Sequence, residues 1–324
     1  MRNVLVFAID GITSALGLSC WKSPVEQIEL ASTFPTTSTT CWTSACTGEG
    51  AETHGIVGVV HTLEGLQRPI NIFEYQPEIC TLATGNFFHD AASLGYMPVA
   101  LESDLTGLRC GWKDSLLKWA KLRPSGTFFS GRPAESVPIV DILRAVAEEV
   151  DAVLSDGHEP KLVWCFVDID QWIHHTGYDE PTVKFLRMFD DICARWSERG
   201  NIVIAHSDHG LVETEHSSEV ASVFAHVATR FNGHIGGAGR VRWIHSAADA
   251  EEIIAYAKPC LPDDVAILRR EAFFPAMSNL IRQRVGAVLF VATGRKFVSM
   301  PGYCYDHGSL MKDELFVPYA RWQR

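Results

Sequence analysis

The chain has 324 residues, enough for one large α/β domain carrying an insert or for two small domains. Hydrophobic residues make up 47% against 21% charged, an ordinary globular composition, and the net charge of −11 argues against gripping nucleic acid by its phosphates. That charge leaves a phosphate substrate open, because bound divalent cations reverse the local field, and no apolar run approaches the ~20 residues of a membrane helix.

Met1-Arg2-Asn3-Val4 enters a strand almost at once, so neither a signal peptide nor a transit segment is expected. Val4 to Ile9 is a continuous apolar run ended by Asp10-Gly11, as in a parallel strand covered on both faces. Between Thr33 and Gly48, Pro35 cannot continue a strand, and hydroxyl residues follow at Thr36, Thr37, Ser38 and Thr39. A helix is predicted from about Thr40 to Thr47, with Gly48 at its C-terminal end. Ser38 then sits at a helix N-terminus, which favours an anion; the plain alternative is a run of capping residues.

The apolar strand pattern recurs at Met97 to Leu101, Leu162 to Val167 and Asn201 to Ala205. Helical stripes lie between them, one through Val140, Leu143, Val146, Val150 and Leu154, another from Val183 to Trp196 ended by Gly200. The alternation predicts an α/β fold with a mostly parallel central sheet and helices on both faces. After His209 the texture changes. Gly233 to Gly239 reads as a flexible connection, Arg240 to Ile244 as a strand and Ala247 to Lys258 as a helix, with further strands at Asp264 to Leu268 and Val285 to Ala292. Residues 211–300 are therefore expected to form a small α+β insert or cap on a core of 1–210 and 301–324. Nine cysteines without paired spacing suggest buried, reduced thiols in a cytoplasmic protein, and Cys41 and Cys46 lack the second cluster of a cysteine zinc site.

Ligands in such sheets bind beyond the carboxyl ends of the strands. Asp10, Asp170 and Asp208 each fall at or just past the end of an apolar run. Asp170 and His174 are four apart and share a face if the stretch is helical, with Asp168 and His175 as competitors. His209 is adjacent to Asp208, and His307 precedes Gly308 in a loop rich in tyrosine and glycine. Asp306 is a prospective acceptor for the His307 ring. Three carboxylates and three imidazoles suffice for two divalent cations with open positions, and a hydroxyl between them makes a nucleophile. The set reads as a two-metal phosphoryl-transfer centre. Thr37 and Thr39 stay open as alternative nucleophiles, and Trp42, Arg109, Trp112 and Lys113 as pocket-lining or mere packing residues.

With those residues assembled, the chain resembles the alkaline phosphatase superfamily and, within it, the type I phosphodiesterase/nucleotide pyrophosphatase family. The strand ending in Asp10-Gly11 looks like the family's first metal ligand. Phe34-Pro35-Thr36-Thr37-Ser38 resembles its Phe-Pro-Thr-x-Thr nucleophile motif, and His54-Gly55-Ile56-Val57-Gly58 the segment that follows. Asp170 through His174 and Gly177 is similar to its Asp-x-x-x-His-x-x-Gly pair, Asp208-His209-Gly210 to its Asp-His-Gly, and His307-Gly308-Ser309 to its C-terminal block. Each motif is weak alone; all five in this order are specific.

The resemblance implies that Asp10, Ser38, Asp208 and His209 hold one metal, and Asp170, His174 and His307 the other. It implies two zinc ions, with manganese or another divalent ion also compatible. The implied activity is cleavage of a small-molecule phosphodiester or nucleotide pyrophosphate through a phospho-seryl intermediate; monoester hydrolysis is the alternative. Family members usually carry threonine where Ser38 stands, and an asparagine that donates to phosphate where Cys41 stands, which makes Thr39 and Cys41 the candidate substrate contacts. No membrane or nucleic-acid partner is implied.

Overall fold

The structure is a computed structural model that describes residues 1–66, 68–79, 85–126, 129, 132–274 and 278–324. Its core is a seven-stranded sheet in the order Glu26–Ala31, Phe316–Trp322, Ile202–Ser207, Val4–Asp10, Lys161–Asp168, Met97–Leu101 and Lys121–Arg123. The last five of these are parallel, and Phe316–Trp322 joins them antiparallel. Glu26–Ala31 pairs antiparallel with Phe316–Trp322 at the edge.

Helices cover both faces, and the strands are apolar on both for that reason. Leu5, Phe7 and Ile9 pack on the layer formed by helices Ile139–Ser155 and Glu180–Glu198, through Ile142, Val146, Phe189 and Trp196. Phe7 lies against Trp196 with ring centroids 5.2 Å apart. Ala8, Trp164 and Phe166 point the other way, toward Trp42, Phe88 and Trp112 of helices Ser38–Thr47, Phe87–Ser93 and Gly111–Leu116. The predicted strands and helices of this core appear within a few residues of their expected bounds. Glu26–Ala31 carried no such signal, since all six of its residues are exposed and backbone pairing alone defines it.

A second sheet runs Val265–Arg269, Val288–Ala292, Val241–His245, His234–Ala238, Val60–His61 and Ile70–Asn71. Helices Ser218–Arg230 and Ala250–Ala257 cover one face through Val220, Phe224, Val227 and Ile253. Two of its short strands come from residues 60–71, so segments far apart in the chain share this sheet. The glycine segment expected as a flexible connection is instead the strand His234–Ala238, laddered antiparallel to Val241–His245. Glycine is required there by close approach: a Cβ on Gly236 would lie 2.2 Å from the Trp243 indole nitrogen. Eight described cysteines are free thiols, six of them buried, and Cys80 lies outside the described residues. Among the described residues no helix is long and apolar enough to cross a membrane.

One buried ion pair ties the second sheet to the C-terminal segment. Arg240 Nε lies 3.2 Å from Glu314 Oε1 with both side chains out of contact with solvent. Glu314 also accepts from the Ser309 N–H at 3.0 Å and from the Ser309 hydroxyl. Arg240 N–H donates to the His307 carbonyl at 2.7 Å, so the pair pins the loop bearing His307. Removing one partner strands the other charge in the interior. Glu314→Ala is expected to destabilise the protein by about 3–5 kcal/mol in urea unfolding, whereas a loss below about 1 kcal/mol would show the pair to be dispensable.

Candidate metal centre and nucleophile

The parallel strands deliver the acidic ligands to one edge of the sheet. Asp10 is the last residue of Val4–Asp10, Asp208 follows Ile202–Ser207, and Asp170 opens the helix Asp170–Thr176 just beyond Lys161–Asp168. That helix brings His174 one turn along, its Nε2 2.9 Å from Asp170 Oδ2. Two clusters result. Asp10, Asp208 and His209 have ligand atoms within 4.8 Å of one another, and so do Asp170, His174 and His307. The His209 and His307 rings stack at 3.6 Å, which makes the two clusters neighbours.

Ser38 begins its helix beside both. Its Oγ lies 3.1 Å from His209 Nε2, the same nitrogen that lies 3.2 Å from Asp208 Oδ2 and 3.6 Å from Asp10 Oδ1. The first backbone bond of the helix runs from Cys41 N–H to Thr37 O, and Thr37 offers no side-chain cap. The N–H groups of Ser38, Thr39 and Thr40 thus meet no acceptor among the described residues and face the anion-attracting end of the helix dipole.

The ligand side chains are oriented from behind. Trp42 donates its indole N–H to Asp10 Oδ2 at 3.1 Å, and Gly11 N–H donates to Asp208 Oδ1 at 3.3 Å. Gly11 has φ +87°, and a Cβ there would meet Asp170 Oδ1 at 3.0 Å. His174 Nδ1 is 2.7 Å from the Tyr305 carbonyl, and His307 Nδ1 is 2.7 Å from the Thr36 carbonyl. Donation from Nδ1 turns the Nε2 lone pairs into the site, the arrangement a metal ligand needs. Asp10 Oδ1, Asp170 Oδ1 and Asp208 Oδ2 are buried without a hydrogen-bond partner. Orphaned carboxylate oxygens facing imidazole nitrogens fit hard divalent cations well.

The charges explain why. Burial, then the fields of Asp208, Asp170 and Asp168, hold the Asp10 carboxyl well above its ordinary range. Burial and Asp170 raise Asp208 likewise, against the pull of the Gly11 N–H. Burial would raise Asp170 as well, but His174 and then the other imidazoles outweigh it and hold this carboxyl low. His174 is raised to about 9, since attraction to Asp170 outweighs its burial. Burial, followed by mutual repulsion among the imidazoles, pushes His209 and His307 down, which keeps them neutral as ligands should be.

Other predicted residues fall elsewhere. Asp168 sits outside both clusters, its Oδ1 accepting from Gln171 N–H, and His175 bonds the Gly302 carbonyl. Asp306 is not the acceptor of the His307 ring; Thr36 O fills that role, and Asp306 accepts from the His307 backbone N–H instead. Thr39 lines the cavity above Ser38, with a buried hydroxyl that has no partner. Cys41 does not reach that cavity. It points behind the helix into a crevice, its thiol bonded to the Thr33 carbonyl at 3.3 Å. Trp112 and Trp42 pack behind the helix, Lys113 is buried against Glu102 at 2.9 Å, and Arg109 lies exposed.

The cavity measures about 490 Å³ and is closed on one side by the second sheet and the 298–307 segment. Arg242 and Tyr303 line it, and Tyr303 stacks on His174 at 3.8 Å. Neither carried a readable signal beyond an arginine alternating with apolar residues in Arg240-Val241-Arg242-Trp243.

No protein-family model and no curated protein matches the sequence. Solved structures do match the fold. Phosphonoacetate hydrolase from Sinorhizobium meliloti 1021, bound to phosphonoacetate, superposes with TM-score 0.71 at 14% identity, over 99% of this chain and 90% of that one. Murine ectonucleotide pyrophosphatase/phosphodiesterase 5 gives 0.65 at 15%, covering 98% of this chain and 88% of that one. An inactive threonine-to-alanine variant of the murine protein, in complex with AMP, gives 0.66 at 16%, over 99% and 88%. The chain has the fold that these proteins share.

Two outcomes follow from the geometry. In the metal-free protein His174 holds its proton up to about pH 9 where an unfolded histidine releases it near 6.5, so its stabilising contribution fades as pH rises between those values. Asp168, raised to about 8 chiefly by burial, acts with the same sign up to that pH, whereas the lowered His209 and His307 contribute only below 6.5. The melting temperature in chelator should therefore fall from pH 6.5 to 8, and saturating zinc should remove the fall; a flat or rising profile in chelator contradicts this electrostatic account. Trp42→Phe, which deletes the N–H on Asp10, should weaken metal binding by about 10–100-fold in competition with a chromogenic chelator, and unchanged affinity would show the contact to be idle.

Proposed function

We propose that the protein is a metal-dependent phosphoester hydrolase that uses Ser38 as nucleophile. The observation that carries this reading is a pair of three-residue clusters of candidate ligands around a serine at a helix N-terminus, one cluster with His209 Nε2 3.1 Å from the serine oxygen and the other lining the same cavity as that serine. Asp10, Asp208 and His209 with Ser38 would hold one divalent ion, and Asp170, His174 and His307 the other. Zinc suits this mixture of imidazole and carboxylate, and manganese is compatible with it. When bound, such ions supply Lewis acidity that lowers the pKa of a hydroxyl or water and neutralises developing charge.

The chain does the rest by positioning. Ser38 Oγ attacks phosphorus in line, an O–P bond forms, and the bond to the leaving oxygen breaks to give a phospho-seryl ester. The N–H groups of Thr39 and Thr40 receive a phosphate oxygen at the helix terminus. Water then attacks phosphorus, the serine oxygen departs and its hydroxyl is restored. The named activities of the structural neighbours, on nucleotide pyrophosphates or diesters and on phosphonoacetate, support a small-molecule substrate. A phosphodiester or nucleotide pyrophosphate is the first reading; a phosphomonoester is the second, favoured by serine at the nucleophile position. Residues 211–300 serve in this reading as the cap over a core of 1–210 and 301–324, extended by the short strands at 60–71. A cytoplasmic setting accords with the free thiols.

Zinc-loaded protein assayed on bis(p-nitrophenyl) phosphate and on p-nitrophenyl phosphate separates the two substrate readings. Ser38→Ala is expected to lower turnover on the order of 10³-fold or more while keeping its metal content by elemental analysis. Near-normal turnover in that variant removes Ser38 from the mechanism, and inactivity of the wild type on both esters with metals bound favours a non-catalytic metal-binding role.

A further inference from the structure

Arg242 stands out among the cations that are half-buried or more. It belongs to Val241–His245 in the second sheet, opposite Gly237, and lines the cavity that holds Ser38. Arg240, two residues earlier, is paired with Glu314, and Lys113 with Glu102. Arg242 has no ion-pair partner among the described residues. Its Nη1 donates to the carbonyls of Gly239 at 2.7 Å and Val241 at 2.8 Å. Those two bonds fix the plane of the guanidinium. The remaining donors, on Nε and Nη2, meet no acceptor among the described residues, and together they form the side-on fork that binds a carboxylate or phosphate through two parallel bonds. Ser299, on the same wall, has a buried hydroxyl without a partner.

Two carbonyls and the field of Asp306 offset part of the cost of half-burying this guanidinium, and a ligand anion on its open edge would offset the rest. Its wall adjoins the loop that carries His307, and Arg242 belongs to neither of the two clusters. The geometry points to a second anion subsite, in which the Nε and Nη2 edge of Arg242, assisted by Ser299, binds a carboxylate or phosphate carried by the substrate at a distance from the reacting phosphorus. The inference rests on the hydrolase reading above and narrows it: the preferred substrate carries two anionic groups, and a simple monoanionic ester is a poor one. The 490 Å³ cavity has room for both groups and a short link between them.

Calorimetric titration of the zinc-loaded protein tests this with three ligands of similar size: propylphosphonate, 2-carboxyethylphosphonate and ethylenediphosphonate. The wild type should bind at least one of the two-anion ligands tenfold or more tightly than propylphosphonate, and which of them it prefers tells a carboxylate from a phosphate. In Arg242→Gln, with a melting profile confirming its fold, that preference should fall at least fivefold. Ser299→Ala, which leaves the main chain undisturbed, should lower it two- to threefold. A preference retained within twofold in both variants means that the metals alone read the second anion, and the subsite is wrong. Propylphosphonate binding with no two-anion preference in the wild type likewise overturns the subsite while leaving the hydrolase reading intact. Failure of all three ligands to bind overturns the hydrolase reading itself, and the subsite with it.

Discussion

Asp10, Asp170 and Asp208 are forced into one buried volume, and the rest of the architecture is arranged around that repulsion. Neighbouring parallel strands end at the same level, with Asp10 opposite Asp168 and Ile9 opposite Ser207, so the residues at and just beyond those ends must meet. No carboxylate there is free to move away, because Asp10 ends a buried strand, Asp208 follows another and Asp170 opens a helix just past a third. Burial, and after it the neighbouring carboxylates, raises Asp10 and Asp208, Asp170 draws a proton onto His174, and carboxylate oxygens are left without partners. A protein that used these residues only for packing would gain by replacing them with apolar side chains of similar size. Their retention in this geometry is what a pair of divalent cations would relieve.

Everything placed against the carboxylates holds them in orientation. The indole of Trp42 and the Gly11 N–H each take one oxygen and leave its twin facing inward. Backbone carbonyls of Tyr305 and Thr36 fix the rings of His174 and His307. The helix from Ser38 adds its N-terminal field to the same point, so a phosphate would be drawn by the metals, the dipole and the free amides together. Electrostatic preorganisation of this kind, with little proton-transfer machinery, suits phosphoryl transfer.

The second sheet supplies the other half of the cavity. Its position depends on Arg240 and Glu314, whose buried bond fastens the strand at 241–245 to the loop carrying His307. Fixing that strand also fixes Arg242, two residues along from Arg240. One arginine is thereby consumed by structure while the other, two residues along the chain, keeps its Nε and Nη2 donors open to the cavity.

Much of the candidate site was legible because metal chemistry restricts residue type and strand ends restrict position: Asp10, Asp170 with His174, Asp208 with His209, and His307 all carry local signals. The strand and helix periodicities of the core were equally readable, since burial on both faces writes continuous apolar runs. The glycine strand at 234–238 was not, because residues without side chains record neither face of a sheet. Nor was the orientation of Cys41, which the rotation of the Ser38–Thr47 helix settles by turning the thiol to the Thr33 carbonyl. The sequence by itself determined which groups could bind cations and that a run of hydroxyls, Ser38 among them, lay beside a helix terminus. Only the tertiary structure decided how close the six candidate ligands come to one another, which imidazole nitrogen faces inward, and that Arg242 lines the cavity holding Ser38, because those depend on packing between segments that share no local pattern.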